Sequence, residues 1–125
     1  ENTSGLPISR LIPVCTSPTG GFKRINVSSE TDALSLVGVT SESVLNATEG
    51  NVVAKGRIQD IGDDFALNST VWVSKSGGLT VTAPDVGIGG FVALDFVIRV
   101  GKVVKNQTDP LKKDLLVNMS LIGQL

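Results

Sequence analysis

The chain has 125 residues, with 11 basic and 12 acidic side chains, no His, no Tyr and a single Cys. One domain fits this length, and a net charge of -1 lacks the positive field that attracts nucleic acid or an anionic membrane. Without an imidazole, and with one thiol, most hydrolase and metalloenzyme designs are excluded.

The first segment, residues 1–20, contains Pro7, Pro13 and Pro18 among many Ser, Thr and Gly residues. It has too many prolines for a central strand and too many apolar residues for a free tail. We therefore predict an extended N-terminal arm that lies across a neighbouring subunit or a partner protein, followed by one domain over residues 21–125. The alternative is an edge strand of its own domain. The apolar candidates for the assembly arm are Leu6, Ile8, Leu11 and Ile12.

The next part of the chain predicts three strands separated by turn residues, over Phe22–Val27, Leu34–Val39 and Val52–Ile58. The pattern at Ser41–Leu45 allows one helical turn. The acidic residues Asp60, Asp63 and Asp64 lack the alternate-position carboxylates of a helix-loop-helix calcium site, so we interpret them as turn residues.

A β-hairpin is predicted over Thr70–Thr82, where two β-rich runs flank Gly77 and Gly78. Its first strand has valines on one face and a tryptophan on the other, so both faces require cover. The candidate subunit-interface residues are Val71, Trp72 and Val73. The glycines after the hairpin precede a strand rather than a helix, so residues 86–90 are interpreted as a mobile loop and not as a phosphate site.

The C-terminal part shows the alternation of two long strands, with Gly101 at a bend or bulge. The predicted core residues are Val92, Leu94, Phe96, Ile98, Val100, Leu115, Val117 and Leu121. These patterns predict an all-β, single-domain small β-sandwich or barrel.

Asparagine is the one residue type whose placement departs from chance. Six of the seven Asn residues open an Asn-x-Ser/Thr triplet, and the candidates for glycosylation are Asn2, Asn26, Asn46, Asn68, Asn106 and Asn118. The alternative is that turn Asn and strand Ser or Thr residues produce such triplets incidentally. Cys15 has no His partner and is predicted to be a buried or half-buried thiol.

The order of several weak motifs is more specific than any one of them. Leu36-Val37-Gly38-Val39 is followed by glycine-containing and β-rich segments at Glu49–Ile58, Ala66–Ser74, Gly77–Pro84 and Ile98–Val104. Over about residues 33–122 this order resembles the small all-β decoration or cement proteins and head-fibre proteins of tailed phages.

The resemblance implies a virion structural protein that binds the outer surface of the capsid and stabilises it, as a homo-oligomer, most often a trimer. The implied partner is the major capsid protein or another virion protein, with no catalytic residue, metal, cofactor, nucleic acid, membrane or small-molecule substrate. The alternative is a secreted or cell-surface β-sandwich glycoprotein module used in adhesion or binding. An enzyme of this composition would be restricted to carboxylate chemistry.

Overall fold

A computed structural model describes all residues, 1–125, as nine strands and one short helix. In chain order these are β1 (Pro13–Thr16), β2 (Phe22–Arg24), α1 (Glu30–Ala33), β3 (Leu36–Thr40), β4 (Val52–Val53), β5 (Lys55–Ile58), β6 (Thr70–Val73), β7 (Leu79–Thr80), β8 (Phe96–Lys105) and β9 (Lys113–Gln124).

The strands form two antiparallel sheets. The first has the strand order β2-β1-β3-β4 and the second the order β5-β9-β8-β6-β7. Because no strand pairing joins the sheets, the fold is open rather than a closed barrel, and the prediction of a small all-β domain is confirmed. No helix has the length and apolar character needed to cross a membrane.

The main core lies between the two sheets. Cys15 and Val39 of the first sheet pack in one cluster with fully buried side chains of the second sheet, namely Val71, Val73, Ile98, Val100, Val103, Leu115 and Val117. The hairpin β6–β7 is confirmed, with Gly77 at a φ of 90° in its turn. Gly101 also lies at a bulge, since the register between β8 and β9 shifts between Arg99 and Gly101.

The predicted core stripe is wrong at its beginning. The side chains of Val92 and Leu94 are 54% and 69% exposed, and β8 begins only at Phe96. Leu94 has a φ of 74° and its amide donates to the carbonyl of Leu125, so the backbone turns here before the strand starts. A turn breaks the alternation of faces although the apolar spacing continues through it. Leu121 is only partly buried against the core.

The N-terminal segment is part of the domain and not a separate arm. Strand β1 lies inside the first sheet between β2 and β3, and Pro13 is tolerated because it occupies the first position of the strand. Ile8 forms an isolated antiparallel bridge with Val44 and is 1% exposed. The predicted boundary at residue 20 is therefore corrected, because residues 1–20 supply both strand pairing and core.

Two local predictions are also corrected. The strand predicted over Val52–Ile58 is divided at Ala54 into β4 and β5, which belong to different sheets. The helical turn lies at α1 and not at residues 41–45, where the pairing of Val44 with Ile8 keeps the backbone extended. Ser29 caps α1 by accepting a hydrogen bond from the amide of Asp32.

Candidate functional site

Three buried aspartates, Asp32, Asp95 and Asp114, each form an ion pair and accept a hydrogen bond from a backbone amide. Asp114, at the start of β9, accepts hydrogen bonds from Arg57 at 2.9 Å, the amide of Asp60 at 2.9 Å and the amide side chain of Asn106 at 3.0 Å. Burial alone would raise the pKa of Asp114, but these donors outweigh it and the pKa lies below its ordinary value.

Asp95 fixes the long connection that precedes β8. Its carboxylate accepts from the Lys75 ammonium at 2.6 Å, the Ser28 hydroxyl at 3.0 Å and the Val92 amide at 3.0 Å. Burial opposes its ionisation, yet the Lys75, Val92 and Ser28 donors hold the pKa of Asp95 below its ordinary value. The carboxylate therefore joins the hairpin, the loop before α1 and the end of the connection.

Asp32, on α1, pairs with Lys23 of β2 and accepts from the amide of Asn26 at 2.9 Å. Burial would raise the pKa of Asp32, but the Lys23 ammonium and the Asn26 amide lower it overall. The nearby Cys15 is completely buried, as predicted. Its burial, and then the negative charge of Asp32, raise the pKa of the thiol, which disfavours a reactive thiolate.

Acid is expected to destabilise the fold through these three carboxylates. Because their folded pKa values lie below the value of about 3.9 for an unfolded aspartate, the stabilisation is present above that value and is lost as the pH falls through the folded pKa values. We expect urea unfolding to give a free energy that declines below about pH 4. Asp114→Asn should lower stability at neutral pH and flatten this decline. A free energy of unfolding that stays constant down to about pH 3 would contradict the assignment.

The connection between β7 and β8 holds five of the eleven large apolar residues that are exposed in the structure. Five large apolar side chains within residues 81–94 are between 42% and 69% exposed: Val81, Val86, Ile88, Val92 and Leu94. The loop is nevertheless anchored, because Phe91 is buried in the main core and its carbonyl accepts from the amide of Gly87. We call residues 81–94 the apolar loop.

The outer face of the five-stranded sheet is a second exposed surface, and it carries cationic side chains that form no ion pair. Trp72 lies on this face, in register with Arg99 on β8, and Lys102 follows beyond the bulge. No Asp or Glu side chain lines the shallow hollow between β6, β8 and β9. This face combines an aromatic ring with unpaired cations.

The predicted interface residues divide between the core and this face. Val71 and Val73 are completely buried in the main core, so they cannot form a subunit interface. Their burial follows from the position of β6 inside the five-stranded sheet, whose other face covers the core. Of the three candidates, Trp72 alone is partly exposed.

The predicted arm residues do not form a common surface. Ile8 is buried with Val14, Phe22 and Val44 in a second small cluster, against which Ile12 packs. Leu11 packs against the main core, and Leu6 alone projects into solvent, with 70% exposure. The arm assignment is therefore corrected for Ile8, Leu11 and Ile12, because these side chains pack against the apolar clusters of their own domain.

The six glycosylation candidates also divide. Asn26, Asn46, Asn68 and Asn118 are exposed. Asn2 is completely buried and its amide donates to the carbonyls of Leu6 and Val44, while that of Asn106 donates to Asp114. The folded protein therefore offers four accessible sites rather than six.

The acidic and thiol side chains do not gather at the surface hollows. None of the three surface hollows is lined by an Asp, Glu or Cys side chain. No three His, Cys, Asp or Glu residues come together as metal ligands. Asp60, Asp63 and Asp64 lie where the chain leaves β5, and the only ion pair among them joins Asp60 to Lys112.

The sequence did not predict the apolar loop or the hollow. Val92 and Leu94 were assigned to a strand, and the outward positions of Arg99, Lys102 and Asn118 become neighbours only through strand pairing. A signal was present in the apolar residues that flank Gly87, Gly89 and Gly90, since a glycine-rich turn cannot bury its neighbours efficiently.

The chain was compared with protein-family models, with curated proteins and with solved structures, and no match was found in any of them.

Proposed function

We propose that the protein is a non-catalytic structural protein of a virion, a decoration protein that binds the outer surface of the capsid lattice. The apolar loop carries this proposal. Large apolar patches on the surface of a protein usually mark a site that a partner covers. Here five large apolar side chains are exposed on one loop, which Asp95 and Phe91 hold in place.

The chemistry of the interior supports a passive role. Asp32, Asp95 and Asp114 are each committed to an ion pair and to backbone amides, and the one thiol is buried. A small sandwich tied together in this way suits a clamp that must survive mechanical strain on a lattice. The order of motifs over residues 33–122 supports the assignment to phage decoration proteins.

Binding to capsids tests the proposal. The purified protein is expected to sediment with capsids assembled from the major capsid protein of the same virus. Val86→Ser/Ile88→Ser should weaken binding by at least about tenfold, because burial of one such side chain contributes about 1.5–3 kcal/mol.

A matched control uses exposed leucines outside the apolar loop. Leu45 and Leu111 are 68% and 86% exposed, so Leu45→Ser/Leu111→Ser removes as much exposed apolar surface and should bind like the parent. A parent protein that stays in the supernatant with capsids would contradict the proposed function.

Self-association, as a trimer, belongs to the same proposal. Since Val71 and Val73 are in the core, we assign the contact between subunits to the apolar loop. We expect sedimentation equilibrium at micromolar concentration to give the mass of three chains, and the Val86→Ser/Ile88→Ser variant to give less. A monomer both free and on the capsid would exclude this part of the proposal.

The four exposed Asn-x-Ser/Thr sites favour a second candidate, a secreted or cell-surface glycoprotein module. On this alternative, the protein secreted from eukaryotic cells should carry glycans at Asn26, Asn46, Asn68 and Asn118. A glycan on Asn2 is incompatible with its burial, so Asn2 should be bare in the folded fraction. Intact mass measures how many glycans the protein carries, and peptide mapping shows which Asn residues carry them. A mass equal to that of the bare sequence would exclude this candidate.

A further inference from the structure

A hollow of about 370 Å³ lies on the outer face of the five-stranded sheet, where the bulge in β8 meets β9. Gly101 is one of the residues that line it. A Cβ at this position would collide with the carbonyl oxygen of Leu116, so the close approach of β8 to β9 requires glycine. The lining residues are Thr70, Arg99, Gly101, Lys102, Leu116 and Asn118.

The polar side chains around this hollow have no partner within the chain. Arg99 and Lys102 are exposed and take part in none of the four ion pairs, which use Lys23, Arg57, Lys75 and Lys112 instead. The Thr70 hydroxyl and the Asn118 amide likewise make no hydrogen bond to another residue. Two positive charges and two neutral polar groups therefore face one solvent-filled depression without a carboxylate among them.

We propose that this hollow binds an acidic segment of another protein, with Asp or Glu side chains of the partner against Arg99 and Lys102. An arginine can hold a carboxylate through two parallel N–H donors, a lysine adds a point charge, and the Asn118 amide is a further donor. The inference goes beyond the proposed function, because it concerns the sheet face rather than the apolar loop.

The apolar neighbours of the hollow favour a protein as the occupant. Trp72 lies opposite Arg99 in the β6–β8 pairing, and the side chain of Leu116 is 42% exposed. Tryptophan and arginine are the residues most enriched at the energetic centres of protein interfaces. An acidic segment that also carries apolar side chains would cover both the cations and these neighbours.

The charge distribution disfavours a nucleic acid or a sulfated polysaccharide. Such polymers bind by neutralising many phosphates or sulfates in a row, whereas two cations line this hollow. The net charge of the whole chain, -1, also gives no long-range attraction for a polyanion. A short acidic protein segment requires only this local positive potential.

Trp72 makes the hollow directly observable. The chain contains one Trp and no Tyr, so its fluorescence reports on this face alone. The probe is a synthetic peptide of alternating Glu and Leu, titrated into the full-length protein at low salt, with a Gln and Leu peptide of the same length for comparison. We expect the acidic peptide to shift the emission of Trp72 and the neutral peptide to leave it unchanged.

Charge reversal decides whether the hollow is the site. Arg99→Glu/Lys102→Glu is expected to weaken binding of the acidic peptide by at least about tenfold, since like charges placed opposite each other repel. Arg24→Glu/Lys105→Glu makes the same change in net charge at exposed cations outside the hollow and should bind within about twofold of the parent, as rim charges far from a contact contribute little.

Three results would overturn the inference. The first is an equal loss of peptide binding in both charge-reversed variants, and the second is no change in Trp72 emission when the acidic peptide is added. The third is a DNA or heparin oligomer that binds more strongly than the acidic peptide and loses this binding in Arg99→Glu/Lys102→Glu. Circular dichroism of each variant verifies folding. Capsid binding is measured separately, so a parent that binds capsids but not the acidic peptide would contradict this inference and leave the proposed function intact.

Discussion

Ile98→Asp is expected to unfold the domain, whereas Leu94→Asp, four residues earlier on the same apolar stripe, is expected to be tolerated. Ile98 is completely buried at the centre of the five-stranded sheet, and Leu94 is 69% exposed. A carboxylate at Ile98 would be buried without a partner, which we expect to cost more than about 4 kcal/mol.

At Leu94 the change should stay within about 1 kcal/mol, because the site is open to solvent and aspartate tolerates a positive φ better than leucine. Chemical denaturation of both variants measures the difference, and Ile98→Val controls for loss of volume at the buried site, at about 1 kcal/mol. Equal tolerance of aspartate at the two positions would contradict the placement of β8.

Deletion of residues 1–10 is the second change with a large expected effect. The deletion removes Ile8 from the second apolar cluster and exposes Val14, Phe22 and Val44. It also removes Asn2, whose backbone and side chain bond to the loop at residues 44–48. Loss of Ile8 alone should cost about 2–5 kcal/mol, so we expect a large fall in melting temperature.

Leu6→Ser provides the matched control for this deletion. Leu6 belongs to the same segment but projects into solvent, so its replacement should leave the melting temperature near that of the parent. The opposite result for the deletion, cooperative melting at the parent temperature, would show that residues 1–10 act as a separate arm after all. Thermal melting followed by circular dichroism distinguishes the two.

The apolar loop is held by one of the electrostatic interactions that stabilise the fold. Asp95 holds the end of the apolar loop through the amide of Val92, and Lys75 brings the hairpin to the same point. If that ion pair is lost in acid, the apolar loop should loosen together with the fold. The capsid binding that we propose for this loop is therefore expected to weaken in the same acid range as stability.

The β-strands with strict alternation could be predicted from the sequence. From Phe96 to Val100, and in the pair Leu115 and Val117, apolar residues recur at every second position, and the resulting faces are those of the core. The Gly77-Gly78 turn and the bulge at Gly101 were also predictable, because glycine has a local conformational reason to occupy each place.

The composition by itself determined the chemistry available to the chain. The absence of His and the presence of a single Cys are independent of the fold, and so is the shortage of charge. The burial of a side chain cannot be read from composition, because it depends on which other segments of the chain cover that side chain. The prolines of residues 1–20 suggested an arm, but Pro13 begins a central strand and Ile8 is covered by Val44, which lies 36 residues further along the chain.

Only the tertiary structure decided where the functional candidates lie. The alternation through Val92 and Leu94 continues without interruption in the sequence, yet a turn with positive φ at Leu94 places both side chains in solvent. The hollow depends on register, since Lys102 and Leu116 lie on different strands that pairing brings side by side. Local patterns encode which side chains share a face of one strand, whereas long-range pairing and the turns between strands determine which faces meet and which remain exposed.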